Sequence, residues 1–146
     1  VPKDSCAGVP HPLEAGTPMM AEGIGLGKAI EWISEKGIEN IRKHEEEITN
    51  YALEKLATIP QVKVLGNPKE RGALVSITLD GIAVSDAAMI LDEENIAVRS
   101  GHHCAQPVMD RFGVDATLRL SFGAYTLKRD IDRLVAGLQR VVRLFA

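Results

Sequence analysis

The hydrophobic period of this chain changes at Pro60, and that change restricts it to folds that combine helices with a sheet. Before Pro60 the apolar residues recur at helical spacing, first Leu26, Ile30 and Ile33, then Ile41, Ile48, Ala52, Leu56 and Ile59. The first set predicts a helix that starts at Thr17-Pro18, with Thr17 as N-cap and Pro18 in the first turn, and stops at Gly37. The second predicts a helix that follows almost at once, with Glu39 and Lys43 spaced i,i+4 on its wet side. After Pro60, Val62 and Val64 alternate with Gln61 and Lys63 until Gly66-Asn67-Pro68 ends the run, as in a strand. Residues 73–79 alternate again, with Ala73, Val75, Ile77 and Leu79 on one face and Ser76 and Thr78 on the other.

The second half continues the mixture. Ser85 is placed to cap a short helix reaching Asn95, residues 96–99 read as a brief strand, and residues 117–121 as another. Residues 100–113 between them form the most irregular stretch. Thr126 is placed to cap a final helix, whose Ile131, Leu134, Val135, Leu138, Val141, Val142 and Phe145 make one apolar stripe. The order of elements predicts an α/β two-layer sandwich, with helices packed on a small, mostly antiparallel sheet. Residues 1–16, with Pro2, Gly8, Pro10, Pro12 and Gly16, favour an extended N-terminal arm, which leaves 17–146 as one domain carrying the loop at 100–113.

Composition excludes several roles. The net charge of −3 supplies no field to attract nucleic acid, and Arg129, Arg133, Arg140 and Arg143 read as the solvated face of the last helix. No apolar run reaches the ~18 residues of a membrane span, and none near the start resembles a signal segment, so a cytoplasmic location without membrane contact is expected. Cys6 and Cys104 lie in unlike contexts, which favours two free thiols over a disulfide. A first residue of Val rather than Met suggests a fragment, a processed product or a trimmed chain.

Arg99-Ser100-Gly101-His102-His103-Cys104-Ala105 brings a cation, a glycine, two imidazoles and a thiol into seven positions. Neighbouring Arg or protonated His favours the thiolate, the reactive form of cysteine, so converging side chains would activate Cys104. The plainer alternative is an inert cysteine in a polar loop. His102, His103 and Cys104 also have the chemistry of zinc ligands, but consecutive residues seldom face one ion and no fourth ligand stands at a usual spacing, so no metal site is expected. His11 and His44 look incidental. Arg119 sits between Leu118 and Leu120 and needs an anion, either an internal carboxylate or the carboxylate of a substrate. Gly16 and Thr17 in Glu14-Ala15-Gly16-Thr17-Pro18 suit either plain capping or a phosphate at a helix N-terminus.

Together these motifs resemble the class V aminotransferase family, and within it the SUF-type cysteine desulfurases and selenocysteine lyases. The resemblance runs from about Leu13 to Phe145. Its most specific part is the segment 99–105, similar to the signature of desulfurases with a short cysteine loop; 14–18 and Arg119-Leu120-Ser121 with Ala124-Tyr125 agree in order and spacing. It implies the C-terminal domain of a fold type I pyridoxal-phosphate (PLP) enzyme, homodimeric when complete, that takes sulfur from L-cysteine for iron–sulfur cluster assembly and leaves alanine. By the same resemblance Cys104 carries the persulfide, His103 assists proton movement, Arg119 binds the substrate carboxylate, and Arg99 lies beside it. Gly16 and Thr17 approach the cofactor phosphate of a neighbouring subunit, and a small sulfur-acceptor protein receives the product. One departure is large: the family holds PLP on a lysine that follows a histidine, and no lysine here does so. The chain alone is therefore expected to be inactive. Residues 1–12, Cys6 included, fit the family poorly, and Cys6 reads as incidental. A second reading is a stand-alone persulfide carrier or interaction module that uses Cys104 without PLP.

Overall fold

The computed structural model describes residues 16–146. It divides into two compact units, one ending at Ile38 and the other running from Glu39 to Ala146. The described part of the first is a segment at 16–19 followed by helix α1 (Met20–Lys36), which buries none of its residues. Thr17 does not cap this helix: the N-cap position is Met19, without a side-chain hydrogen bond, so the cap predicted at Thr17 is displaced by two residues. Gly37 ends the helix as expected. Its φ of 80° lies where only glycine rests without a steric penalty, and its N–H donates to the Ile33 carbonyl.

Helix α2 (Ile38–Leu56), which belongs to the second unit from Glu39 onward, leads to β1 (Val62–Val64) and β2 (Leu74–Leu79). Next come α3 (Val84–Glu93), β3 (Arg99–Gly101), α4 (Gln106–Phe112), β4 (Thr117–Ser121) and α5 (Lys128–Leu144). The strands pair in the order β1-β2-β4-β3, antiparallel throughout, so the expected two-layer α/β arrangement is the one found. The chain leaves β2, crosses through α3 to the far edge at β3, and returns through α4 to place β4 inside the sheet.

One face of the sheet carries the core. Val75, Ile77 and Leu79 of β2 and Leu118 and Leu120 of β4 point into it, as their alternation requires. They meet Leu56 from α2, Ala87 and Leu91 from α3, and Leu134, Val135, Leu138 and Val141 from α5. Ile48 and Ala52 of α2 join Ile131 of α5 in a second cluster. Gly137 of α5 leaves room for Leu91 of α3 and for Ile96 beyond it: a Cβ there would lie 2.7 Å from Leu91 Cδ2 and 2.9 Å from Ile96 Cδ1. The basic residues of α5 stay on the wet side, where Arg140 pairs with Glu94 and Arg133 Nη2 donates to the Glu94 carbonyl at 3.1 Å.

Several boundaries differ from those predicted. Ser85 does not cap α3, whose N-cap is Ala83; its hydroxyl lies 3.4 Å from Asp86 Oδ1 instead. Thr126 does not cap α5 either. Its Oγ1 accepts from the Gly123 N–H and closes the preceding turn, while Asp130 accepts from Leu127 N–H at the true helix start. The strand predicted at 96–99 lies at Arg99–Gly101, and the stretch read as irregular contains α4. Replacing the fully buried Leu138 by Ala leaves a cavity between α5 and the sheet, and a loss of about 2–5 kcal/mol is expected in urea unfolding followed by circular dichroism.

Candidate active site

The face of the sheet away from the core holds the chemistry. Because β4 alternates, Thr117, Arg119 and Ser121 project opposite to Leu118 and Leu120. Arg119 pairs across β2 with Ser76 and across β3 with Arg99, so two arginines occupy directly opposed positions on neighbouring strands. Like charges opposed in this way repel unless an anion lies between them. Among the described residues no carboxylate pairs with either arginine, and the Nε of Arg119 is buried with no hydrogen-bond partner. An internal acid, one of the two anions the sequence allowed for Arg119, is thus absent among the described residues.

The thiol lies at the end of β3. Gly101 pairs with Thr117, and the chain then folds into a tight turn in which the Ala105 N–H donates to the His102 carbonyl at 2.9 Å. The central residues, His103 and Cys104, have φ of 55° and 57°, the signature of a type I′ turn. Such turns normally use Asn-Gly, because a side chain at positive φ costs about 1–2 kcal/mol. A histidine and a cysteine held there are a stored strain of the kind that collects at functional sites. The turn leaves Cys104 exposed as a free thiol, and its N–H donates to His102 Nδ1 at 3.2 Å.

His103 turns inward. Its Nε2 lies 2.9 Å from Thr117 Oγ1 and 3.2 Å from the Thr117 carbonyl, while its Nδ1 is buried and unpartnered. Burial holds the imidazole pKa below its ordinary value; the hydrogen bond to Thr117 opposes this, and the positive charges of Arg119 and Arg99 reinforce it. The structure therefore brings Arg99, Arg119, His103 and Cys104 to one region, the open face and β3 edge of the second unit. Gly16 and Thr17 belong to the first unit. Gly16 has φ of 85° with open space where a Cβ would stand, and both residues are exposed. Glu14, Ala15, His11 and Cys6 lie outside the described residues. No three His, Cys, Asp or Glu side chains among the described residues are grouped to hold a metal ion, and no described helix is long and apolar enough to cross a membrane.

Two residues carry more than the sequence suggested. Thr117 is fully buried and is the polar partner of His103; as one threonine among strand residues it gave no signal of its own. His44, read as incidental, binds the Thr126 carbonyl through Nε2 at 2.9 Å and so ties α2 to the loop after β4.

The second unit is thus an α/β domain in which an antiparallel sheet carries its core on one face and the cysteine turn and the opposed arginines on the other. Residues 2–134 match the pattern of the family described as Aminotransferase class-V, and the chain belongs to that family. It is 45% identical over 141 residues to a probable cysteine desulfurase of Streptomyces coelicolor, an alignment that covers 95% of this chain and 34% of that protein. Its fold is similar to the crystal structure of the cysteine desulfurase CsdA (S-sulfonic acid) from Escherichia coli, with a TM-score of 0.86, 35% identity, and coverage of 94% of this chain and 34% of that one. The apo cysteine desulfurase of Thermococcus onnurineus gives 0.85 and 33%, over 92% of this chain and 34% of that one. The chain thus spans about one third of the length of the curated relatives it matches.

The lowered pKa of His103 makes a stability prediction with a definite sign. The fold favours the neutral imidazole, so this stabilisation is complete above the unfolded-state pKa of about 6.5 and is lost as pH falls through the lower folded value. Thermal melts of the 146-residue chain should show a midpoint that drops between about pH 7.5 and pH 5. The drop should be smaller in His103→Asn.

Proposed function

We propose that these residues supply the thiol and the carboxylate-binding half of a PLP-dependent cysteine desulfurase. The observation that carries the reading is Arg119, a guanidinium with a buried, unpartnered Nε, opposed by Arg99 and next to the cysteine turn. A substrate α-carboxylate answers both needs, because it offers two acceptor oxygens to the forked donors of Arg119 and offsets the repulsion between the arginines. The residues present fit such a cofactor enzyme on the substrate side. On the anchoring side they are incomplete, because no lysine of the chain follows a histidine.

PLP, when bound, supplies the electron sink that lets the bond between the substrate's Cβ and its sulfur break. Arg119 and Arg99 hold the carboxylate and fix which way the substrate sulfur faces. The Cys104 thiolate attacks that sulfur; the S–S bond forms, the C–S bond breaks, and the carbon takes up a proton to leave as alanine. Cys104 keeps the sulfur as a persulfide, and its exposure allows a small acceptor protein to collect it. His103 moves protons beside the thiol, and Gly16 and Thr17 face the phosphate of the cofactor in the neighbouring subunit of a homodimer. In this reading residues 17–146 are the C-terminal small domain, residues 1–16 an arm, and the remaining two thirds of the relatives' length hold the cofactor lysine. The setting is cytoplasmic iron–sulfur cluster assembly of the SUF type. Selenocysteine lyase is the near alternative within this reading, and direct release from selenocysteine would tolerate loss of Cys104.

The test uses the complete polypeptide that contains these residues, supplied with PLP and L-cysteine. Alanine should form, and intact-mass analysis should find one added sulfur on Cys104, absent in Cys104→Ser. Arg119→Lys should lower kcat/KM about 10–100-fold, the ~1.5–3 kcal/mol of a hydrogen bond to a charged group. Alanine formation and sulfur loading unaffected by Cys104→Ser would sink the proposal.

A further inference from the structure

We propose that Thr117 is a positioning residue for the cysteine turn: it holds His103 as the Nε2–H tautomer, which leaves Nδ1 as the proton-accepting atom of the site. This rests on the reading of Cys104 and His103 as members of the reacting site.

Two oxygens face His103 Nε2, the Thr117 Oγ1 at 2.9 Å and the Thr117 carbonyl at 3.2 Å. A carbonyl oxygen can only accept, so a bare Nε2 would set its lone pair against the carbonyl's. A proton on Nε2 removes that repulsion and is shared between the two acceptors. The other nitrogen gives the same answer. Nδ1 is buried without a partner, and a proton there would be an orphaned donor, whereas a bare lone pair leaves the weaker deficit. Both ends of the ring thus select one tautomer. Burial and the cations Arg119 and Arg99 keep the ring from taking a second proton in the resting state.

Thr117 is suited to this task by its place in β4. It is fully buried, its amide plane is fixed by the sheet, and it pairs with Gly101 two residues before His103. Arg119 lies two residues further along the same strand and on the same face. One rigid segment therefore sets the His103 end of the cysteine turn and the guanidinium at a fixed spacing. The His103–Thr117 contact also anchors the turn against its own strain, since both His103 and Cys104 sit at positive φ. When Nδ1 accepts a proton, the donor is left as its anion, the ring becomes a cation, and the Nε2–H stays on Thr117. The surrounding positive charge then favours returning that proton.

The measurement is the nitrogen spectrum of the His103 ring in the ¹⁵N-labelled 146-residue chain, above the pH at which the ring is neutral. Nε2 should resonate as a protonated nitrogen and Nδ1 as an unprotonated one. Thr117→Val keeps the shape and removes the nearer acceptor; it should shift the Nε2 resonance and the amides of residues 102–105, while the carbonyl that remains keeps Nδ1 unprotonated. Thr117→Ser should restore both. A protonated Nδ1 in the unmodified chain would overturn the proposal, and so would an unchanged ring and turn in Thr117→Val. Should the valine variant fail to fold, the spectrum of the unmodified chain still decides the tautomer, and a shifted Nε2 resonance in Thr117→Ser would count against the hydroxyl. No cofactor takes part, so failure here leaves the desulfurase reading to the alanine and persulfide measurements, and failure there leaves the tautomer result standing.

Discussion

Strand β4 is hydrogen-bonded on both sides, to β2 and to β3, and the organisation of the second unit follows from that pairing. A strand held on two sides cannot rotate or slip by one residue without exchanging its faces. The core enforces this, because Leu118 and Leu120 are fixed among side chains from α3 and α5. A slip would drive Arg119 into that cluster at a large desolvation penalty. Burial on one face is therefore what locks Thr117 and Arg119 onto the other.

The open face is arranged against its own local stability. Arg99 opposite Arg119 is an unfavourable pair, Arg119 Nε and His103 Nδ1 are buried without partners, and the turn at 103–104 places side chains where glycine is at ease. Each feature costs on the order of 1–3 kcal/mol. They lie within a few residues of one another on adjoining β3, β4 and the turn between β3 and α4, and the apolar layer beneath them offsets the strain. An unpartnered guanidinium nitrogen, an unpartnered imidazole nitrogen and an exposed thiol therefore share one surface.

The fold was largely legible. Val75, Ile77 and Leu79 alternate over enough residues to reveal a half-buried strand, and the stripe from Ile131 to Val141 is long enough to show its period. Helix α4 escaped because seven residues with Pro107 near their start and Met109 as their buried member give no period to read. The caps at Thr17, Ser85 and Thr126 were misplaced because a hydroxyl near a helix start can serve elsewhere, as Thr126 does in accepting from the Gly123 N–H, and only the folded turn decides which residue takes the N-cap position. His44 looked incidental among glutamates because its acceptor, the Thr126 carbonyl, is 82 residues away.

At the site, the residues that carry chemical character stand out in one dimension. Arg99, His103, Cys104 and Arg119 are unusual residue types for their local settings, and the sequence alone marked all four together with the two-layer α/β architecture. It could not reveal that Arg99 and Arg119 oppose each other, that His103 is held by Thr117, or that the thiol rides on a left-handed turn. Those facts are relations between segments. Residue type and spacing determine what a side chain can do and which face of an element it takes, because both depend on local covalent geometry. Which side chains meet, and which polar atoms are left without partners, is decided only when strand pairing and core burial bring distant segments together.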